Sequence, residues 1–229
     1  MEQHEFDNYI KDYRTSCDKY VGLSGENSTY FAEYKAQKLY EWLPAYRNVP
    51  FKMLDFGCGD GLMTSYAKKF FSHADVVGVD PSGKSIDYAQ RQHPHITFLE
   101  TDGRTLSFDD ATFDVIFAAG AFHHIPFEDH DMHMKEVFRV LKPGGHFVMF
   151  ELNSYNPLTV YTFKRNPIDQ HATMMKPTYG YNLVKKYGSA DLKYYCFFPK
   201  FLGALRSMEP YMTKLPIGAL YAVISSKTN

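Results

Sequence analysis

A glycine-rich turn between two apolar patterns constrains the fold of this chain more than any other feature. Residues 53–61 read MLDFGCGDG, with an apolar run over 51–56 and an amphipathic run over 62–71. This order predicts a buried strand, a tight turn and a helix start. Glycines let a ligand lie against the main chain, and the N–H groups of a helix start favour a carboxylate or phosphate. The segment therefore predicts a site for a nucleoside-containing cofactor at the end of the first strand.

Strand and helix patterns alternate along most of the chain. Strands are predicted at 51–56, 75–79, 95–99, 113–118, 145–151, 191–197 and 218–225, and helices at 29–43, 60–71, 82–92, 128–141, 181–187 and 199–209. Such alternation implies right-handed crossovers and a parallel sheet with helices on both faces, which is a doubly wound α/β fold. The 229 residues are enough for one such domain, and we expect a single domain over 1–229.

Bulk composition narrows the expected partners. The net charge of −1 argues against a general electrostatic grip on nucleic acid. The three cysteines follow no zinc-binding or disulfide spacing, so a reducing cytoplasm is the expected location. No apolar run approaches the ~18 residues of a spanning helix, and the polar, acidic N-terminus is not a secretory signal. We expect a cytoplasmic monomer or homodimer with no nucleic-acid partner and no membrane span.

Three motifs in sequence order resemble those of class I S-adenosylmethionine-dependent methyltransferases. They are DFGCGDG at 55–61, Val-Asp at 79–80 and LKPGG at 141–145. The resemblance covers roughly residues 49–152. It implies a seven-stranded, mostly parallel Rossmann-like sheet whose last strand is antiparallel, S-adenosyl-L-methionine as the cofactor and S-adenosyl-L-homocysteine as the product. Within the expected domain, 1–48 would be an N-terminal helical lid, 49–152 the cofactor-binding core and 153–229 the substrate-side part.

The end of the second strand and the end of the third are expected to bind the nucleoside. A carboxylate at Asp80 can accept both ribose hydroxyls, although it can also cap the helix at 82–92 together with Ser82. By the resemblance, Pro81 and Ser82 lie beside the adenine. The resemblance also implies that Asp102 accepts the adenine amine and that the N–H of Gly103 binds a ring nitrogen. An ordinary Asp-Gly turn is the alternative for Asp102.

The methionine part of the cofactor is expected beside the glycine-rich turn and the fourth strand. Main-chain carbonyls of Gly57 and Ala119 are candidate acceptors for its ammonium group. Asp55 is expected to organise the loop. Gly59 gives the backbone its freedom, and Cys58 is interpreted as a small side chain that fits the turn, because no base is paired with it. Aromatic side chains of the first 48 residues would cover the cofactor, Tyr13 and Tyr30 nearest to it, unless they simply pack a core.

The acceptor side offers two histidines as catalytic candidates. His123 and His124 follow the fourth strand, and the loop after this strand faces the methyl group in the family. Either can serve as a general base, and the alternative is that one packs and the other is exposed. His130 and His133 are spaced like metal ligands, but they fall on the approach to a helix. We therefore expect no metal site.

The C-terminal part is expected to contact the methyl acceptor. Residues 151–175 have the proline-interrupted, aromatic and Met-rich composition of a loop over an apolar pocket. Apolar residues at 201, 202, 205, 208 and 211 predict either a surface for a lipid-linked substrate or, as the favoured interpretation, a core helix. The tail resembles uncharacterised bacterial methyltransferases associated with cell-surface polysaccharide, glycolipid and secondary-metabolite pathways. We therefore expect methyl transfer to an oxygen, or a nitrogen, of a sugar, glycolipid or secondary metabolite.

Two other functions remain open from the sequence. A nicotinamide-dependent oxidoreductase would share the strand, turn and acidic residue, but the glycine spacing at 57–61 departs from the dinucleotide pattern at residue 62. No Tyr-x-x-x-Lys pair follows in a suitable place. A cofactor-binding scaffold without catalysis would keep the same binding residues, because fold and chemistry can separate.

Overall fold

The structure, a computed structural model, describes residues 13–228 and contains a seven-stranded sheet. The strands are β1 (Phe51–Phe56), β2 (Ala74–Asp80), β3 (Thr97–Glu100), β4 (Phe113–Ala119), β5 (Leu141–Leu152), β6 (Asp191–Tyr195) and β7 (Leu220–Ser226). Their order is β3-β2-β1-β4-β5-β7-β6. β1 to β5 are parallel, and β7 is antiparallel to both β5 and β6. The predicted Rossmann-like sheet with an antiparallel last strand is confirmed.

Helices connect and flank these strands. They are α1 (Tyr13–Val21), α2 (Ser28–Trp42), α3 (Leu62–Phe70), α4 (Gly83–Gln92), α5 (His130–Val140), α6 (Pro157–Phe163), α7 (Pro177–Lys185) and α8 (Glu209–Met212). α6 lies where only a loop is predicted. The side chain of Asn156 caps it by accepting a hydrogen bond from the Thr159 N–H at 3.0 Å, and Pro157 occupies the first turn.

Both faces of the sheet are buried under helices. Successive side chains of β4 alternate between two apolar clusters, with Val115 and Phe117 on one face and Ile116 and Ala118 on the other. The first cluster includes residues of α2 and α3, and the second includes residues of α5 and α7. This two-sided burial explains why the central strands read as continuous apolar runs.

The parallel strands bring the ends of β1, β2, β4 and β5 to one edge of the sheet. α1 approaches this edge from the N-terminal part of the chain and contacts α6 and the 3-10 turn at Pro167–Asp169. Helix α1 therefore meets α6 and the turn after it at the edge of the sheet where the strands end. Among the described residues, no helix has both the length and the apolarity to cross a bilayer.

The segment Lys200–Met208 differs from its predicted structure. It forms 3-10 turns with a break at Leu202, and none of its residues is buried. Phe201 is 80% exposed, and Tyr211 in α8 is 91% exposed. The favoured interpretation as a core helix is therefore wrong. Buried Glu209 fixes the segment by accepting hydrogen bonds from the Phe197 N–H at 2.9 Å and from the hydroxyl of Tyr34 on α2.

Candidate functional site

A cavity of about 600 Å³ opens at the C-terminal ends of the central strands. α1, α2 and α6 contribute residues to its walls together with the loops after β1, β2, β3 and β4. Most of the predicted site residues line this cavity, namely Asp55, Gly57, Cys58, Gly59, Asp80, Pro81, Ser82, Asp102, Gly103, Ala119, His123 and His124. Residues far apart in the chain thus share one space large enough for a nucleoside-containing cofactor and part of a second molecule.

The glycine-rich turn has a backbone that other residues rarely adopt. Gly57, Gly59 and Gly61 have φ values of 77°, 52° and 77°. The N–H groups of Gly57 and Cys58 both donate to the Val79 carbonyl, at 2.9 and 3.0 Å, which ties the turn to the end of β2. A Cβ atom on Gly57 would lie 2.6 Å from the Cβ of Ala121. Glycine is therefore needed at 57 both for its positive φ and for the close approach of the loop after β4.

Asp80 is held in place by two backbone donors. Its Oδ2 accepts from the Gly59 N–H and its Oδ1 accepts from the Ser82 N–H, both at 2.9 Å. Burial raises the pKa of this carboxyl, and the two N–H groups oppose that shift. The cap of α4 is supplied by Ser82, whose side chain accepts from the Ser85 N–H at 3.1 Å. Asp80 is thus fixed in the cavity wall beside the glycine-rich turn, with its helix-capping alternative taken by Ser82.

The side chain of Asp102 stabilises a local turn, as in the alternative interpretation of this residue. Its Oδ1 accepts from the N–H groups of Arg104 and Thr105 at 2.8 and 2.7 Å, and its Oδ2 accepts from the Thr105 hydroxyl at 2.8 Å. These hydrogen bonds hold the pKa of the exposed carboxyl below its usual value. The group lines the cavity with its acceptors largely engaged, so contact with the adenine amine stays a prediction.

Buried polar atoms without partners mark the wall below the glycine-rich turn. Asp55 accepts a hydrogen bond from the Thr64 hydroxyl at 2.6 Å through Oδ2. Among the described residues, its Oδ1 has no partner, and neither do the buried hydroxyls of Ser28 and Ser85. Burial raises the pKa of Asp55 to about 7. All three residues line the cavity. A polar ligand here would supply the missing hydrogen bonds, which is the fit expected for a cofactor with hydroxyl and ammonium groups.

The pKa values of the two histidines after β4 are shifted in opposite directions. His123 Nδ1 lies 2.6 Å from Glu151 Oε2, and Asp169 Oδ1 lies 3.6 Å from His123 Nε2. Burial lowers the pKa of His123, but Glu151 and Asp169 outweigh it and raise the pKa to about 10. The pKa of His124 lies well below its usual value, because the ring is buried and faces the charged His123. The two ring centroids lie 4.2 Å apart, and the same Asp169 oxygen lies 3.7 Å from His124 Nε2. These shifts favour a neutral His124 beside a charged His123.

Glu151 and Asp169 are site residues that the sequence reasoning did not identify. Glu151 Oε2 contacts His123, and its Oε1 accepts a hydrogen bond from the Phe122 N–H at 3.0 Å. An acidic residue at the end of an otherwise apolar strand was the available signal for Glu151. Asp169 lies in the 3-10 turn after α6 and offered no such signal.

The same cluster has the composition of a metal site. His123, His124 and Asp169 offer ligand atoms that all lie within 4.8 Å of one another. Nδ1 of His123 is already bonded to Glu151, which leaves Nε2 as its available ligand atom. The expectation of no metal stays a prediction. His130 is structural, since its Nε2 donates to the carbonyls of Phe122 and Ile125 at 2.9 and 3.0 Å and so shapes the loop.

The N-terminal lid differs from the prediction in detail. Tyr30 faces away from the cavity, stacks on Tyr34 and lies under the guanidinium of Arg206 at 4.9 Å. Phe31, the next residue on α2, lines the cavity instead. Tyr30 is not among the residues that line the cavity, so the expected contact of Tyr30 with the cofactor has no support from this arrangement. The side chain of Tyr13 lies outside the described residues. Arg14 on α1 pairs with Asp60 of the glycine-rich turn.

Comparison with known sequences agrees with the strand-end site. Residues 54–149 match the model of the methyltransferase domain family. The chain is 32% identical over 140 residues to a fatty-acid O-methyltransferase of Mycolicibacterium smegmatis, covering 60% of this chain and 50% of that protein. It is 38% identical over 106 residues to a sterol 24-C-methyltransferase of Aspergillus fumigatus, covering 44% and 27%. The chain thus spans half or less of the length of these curated relatives.

Comparison with solved structures shows the same fold over most of the chain. An S-adenosylmethionine-dependent methyltransferase from Thermotoga maritima superposes with a TM-score of 0.69 and 16% identity, over 98% of this chain and 99% of that one. One from Archaeoglobus fulgidus gives a TM-score of 0.67 and 16% identity, over 86% and 94%. The chain therefore contains a methyltransferase domain at residues 54–149, and its sheet has the fold of S-adenosylmethionine-dependent methyltransferases.

Proposed function

We propose that the protein transfers a methyl group from S-adenosylmethionine to an oxygen atom of a small amphiphilic molecule. The observation that carries this proposal is the single cavity in which the glycine-rich turn, Asp80 and the two histidines meet. Bound S-adenosylmethionine supplies an electrophilic methyl group, so the chain must position both molecules and exclude water. A nitrogen acceptor is the alternative, because a neutral amine needs no base.

The cofactor has a consistent place in the cavity. Asp80 is suited to accept the ribose hydroxyls, since each of its oxygens uses one hydrogen bond to the backbone and keeps further acceptor capacity. The unpaired Oδ1 of Asp55 and the carbonyls of Gly57 and Ala119 are suited to a positively charged ammonium group. Pro81, Ser82, Asp102 and Gly103 line the wall where the adenine is expected.

Binding of the cofactor is the first test of this function. Purified protein is titrated calorimetrically with S-adenosylhomocysteine, and with NADH as the comparison ligand. We expect Asp80→Ala to weaken S-adenosylhomocysteine binding at least tenfold, because charge-assisted hydrogen bonds contribute ~1.5–3 kcal/mol. Asp75→Ala, an exposed aspartate on the same strand, is the control and should leave binding unchanged.

Each other result of the titration contradicts a specific part of the proposal. Binding of NADH alone would replace the methyltransferase with an oxidoreductase. Binding of neither ligand would favour a scaffold that has kept only the fold. Equal affinity in wild type and Asp80→Ala would remove Asp80 from the ribose, provided that the variant retains the wild-type melting temperature.

His124 is the better candidate for a general base. It is neutral over the physiological pH range because its pKa lies well below the usual value, whereas His123 is held as an imidazolium between Glu151 and Asp169. An acceptor hydroxyl can give its proton to the neutral ring as the methyl group is transferred. We assign His123, Glu151 and Asp169 to positioning that ring and the surrounding loop.

The base is tested with His124→Asn and with tritiated methyl groups on S-adenosylmethionine. The acceptors are straight-chain fatty alcohols and fatty acids. We expect kcat for an alcohol acceptor to fall by roughly 10²–10³, the usual size of a general-base contribution, while S-adenosylhomocysteine affinity is kept. His133→Asn, which alters another histidine of the cavity wall, is the control. An unchanged kcat in His124→Asn would contradict the role.

An amphiphilic acceptor is supported by the rim of the cavity. Leu23 and Leu158 both line the cavity, and they are 59% and 50% exposed. Exposed apolar side chains at a cavity mouth suit a ligand whose apolar tail leaves the cavity. Relatives named for fatty acids, sterols and phthiotriol dimycocerosates point to the same class of acceptor. A cytoplasmic location, a monomer or homodimer and the absence of a nucleic-acid partner stay predictions.

A further inference from the structure

Lys35 is a cation in the cavity wall without a partner among the described residues. It lies on α2, it is partly buried, and it lines the cavity beside Phe31 and Ala32. No hydrogen bond or ion pair joins its ammonium group to a group that the structure describes, a set that leaves out the side chains of Tyr13 and Ser16 on α1. Lys38, one turn further along the same helix, is paired with Glu41 at 2.7 Å. Lys38 is therefore held by a carboxylate, whereas Lys35 lines the cavity and can meet a ligand there.

The strongest acidic neighbour of Lys35 is engaged elsewhere. Glu151 is bonded to His123 and to the Phe122 N–H, while Asp55 acts more weakly on Lys35 and keeps one carboxylate oxygen without a partner among the described residues. Burial lowers the pKa of Lys35, Glu151 and Asp55 oppose this shift, and the nearby guanidinium of Arg14 adds to it. A buried ammonium group without a partner costs free energy that an anionic ligand would offset.

Position on the sheet indicates which part of a ligand would meet this lysine. Asp55 is in β1 and Glu151 is in β5, and β4 lies between these strands in the sheet. Lys35 interacts electrostatically with both carboxyl groups, and it lines the same cavity as Ala119 at the end of β4. Asp80, the expected ribose ligand, ends β2 on the other side of β1, so Lys35 would meet the non-nucleoside part of the cofactor or the acceptor.

We propose that Lys35 binds a ligand carboxylate in the cavity. The carboxylate can come from the amino-acid part of the cofactor or from an acceptor that is itself a carboxylic acid. The inference rests on the proposed function for the identity of these ligands. An ammonium group provides three donors and a full charge, which suits a carboxylate and stabilises it strongly in a partly buried site.

The test compares ligands that differ only in the carboxylate-bearing part. Wild type and Lys35→Met are titrated with S-adenosylhomocysteine and with 5′-methylthioadenosine, which keeps the nucleoside and the sulfur but lacks the amino-acid group. A straight-chain fatty acid and the matching primary alcohol form the second pair. We expect Lys35→Met to lose at least about tenfold in affinity for the carboxylate-bearing ligand of one pair. Its affinity for the matching ligand without the carboxylate should fall by less than about twofold. Lys35→Arg should recover most of the loss, and Lys38→Met should show none.

The outcomes distinguish a cofactor carboxylate from an acceptor carboxylate, and they distinguish failure of the Lys35 proposal from failure of the proposed function. Loss for S-adenosylhomocysteine but not for 5′-methylthioadenosine assigns the cofactor carboxylate. Loss for the fatty acid but not for the alcohol assigns the acceptor. Affinities that change in neither pair, or that change equally for both members of each pair, overturn the role of Lys35. Wild-type protein that binds neither nucleoside contradicts the proposed function instead, and the fatty-acid pair then decides the role of Lys35 alone.

Discussion

Three aspartates lie at the ends of three strands, and they differ in burial, hydrogen bonding and pKa. Asp55 is buried with one unpaired oxygen, Asp80 is bonded to two backbone N–H groups, and Asp102 is exposed in a local turn. The pKa is raised for Asp55 and Asp80 by burial and is lowered for Asp102 by its hydrogen bonds. A bound cation lowers such a raised pKa, and it thereby favours the ionised form of the carboxyl group.

The raised pKa of Asp55 makes folding depend on pH at this residue. Its folded pKa is about 7, whereas an unfolded aspartate titrates near 3.8. The folded state therefore loses stability as the pH rises from about 4 to about 7, because the buried group must then ionise. We expect Asp55→Asn to raise the free energy of unfolding by roughly 1–3 kcal/mol at pH 8, and by less at pH 5.

Thermal or urea unfolding of the apoprotein at the two pH values measures this difference. Asp75→Asn removes an exposed charge from β2 and serves as the control, for which no pH-dependent gain is expected. A gain for Asp55→Asn that is equal at pH 5 and pH 8 would show that burial has not raised the pKa.

The spacing of motifs predicts where these carboxyl groups lie, since parallel strands end at one edge. Spacing does not predict their hydrogen bonds. The Asp102 turn, the backbone donors on Asp80 and the unpaired oxygen of Asp55 depend on loop geometry. The Glu151 and His123 pair depends on two strands being adjacent in the sheet while lying far apart in sequence.

At the scale of single elements, one ion pair connects helix α1 to the glycine-rich turn at the cavity. Arg14 on α1 donates to both carboxylate oxygens of Asp60, and Asp60 also accepts from the Leu62 N–H at the start of α3. α1 further contacts α6. Helix α1 is therefore attached to the same glycine-rich turn that is expected to hold the cofactor, so that order in one should favour order in the other.

Breaking this ion pair should loosen α1 more than the sheet. We expect Arg14→Met to weaken S-adenosylhomocysteine binding by roughly three- to tenfold, because it removes a bidentate charge-assisted pair from the turn. Amide hydrogen exchange over Tyr13–Val21 should become faster, while exchange in β1 and β4 should not change. Lys19→Met, on the exposed side of the same helix, is the control. Unchanged exchange in α1 would show that Asp60 does not hold the lid.

The elements themselves were partly predictable from local patterns. Amphipathic periodicity predicts the helices around the sheet. Helix α6 was missed because its prolines were interpreted as loop residues, although Asn156 followed by Pro157 is a helix start signal. At residues 199–209, by contrast, a helix was predicted where the structure has 3-10 turns. Their apolar spacing suits a helix, but Pro199, Gly203 and Pro210 interrupt it, and periodicity does not reveal whether another element covers the apolar side.

At the scale of the whole molecule, the segment that follows α1 and helix α6 lie at one edge of the sheet and contribute to the mouth of the cavity. Leu23 follows α1 and Leu158 lies in α6, so both the N-terminal and the C-terminal parts contribute an exposed apolar side chain to the rim. Strand order was predictable because the motifs resemble a family with a known sheet. Both the N-terminal helices and the C-terminal part were expected at the site by the same resemblance, but the contact between α1 and α6 was not predictable, since no motif lies in either helix.

This shared rim predicts a dependence on the length of the acceptor tail. Each buried methylene contributes ~0.8 kcal/mol, so a long tail that packs against Leu158 should raise kcat/KM over that of a short one. Leu158→Ser should lower kcat/KM for a long-chain fatty acid by about tenfold and leave a short-chain acid and S-adenosylhomocysteine binding nearly unchanged. Phe201→Ser is the matched control, because Phe201 is 80% exposed and lies outside the cavity wall. If Leu158→Ser lowers kcat/KM equally for both chain lengths, the acceptor does not leave the cavity across this rim, and the amphiphilic acceptor loses its structural support.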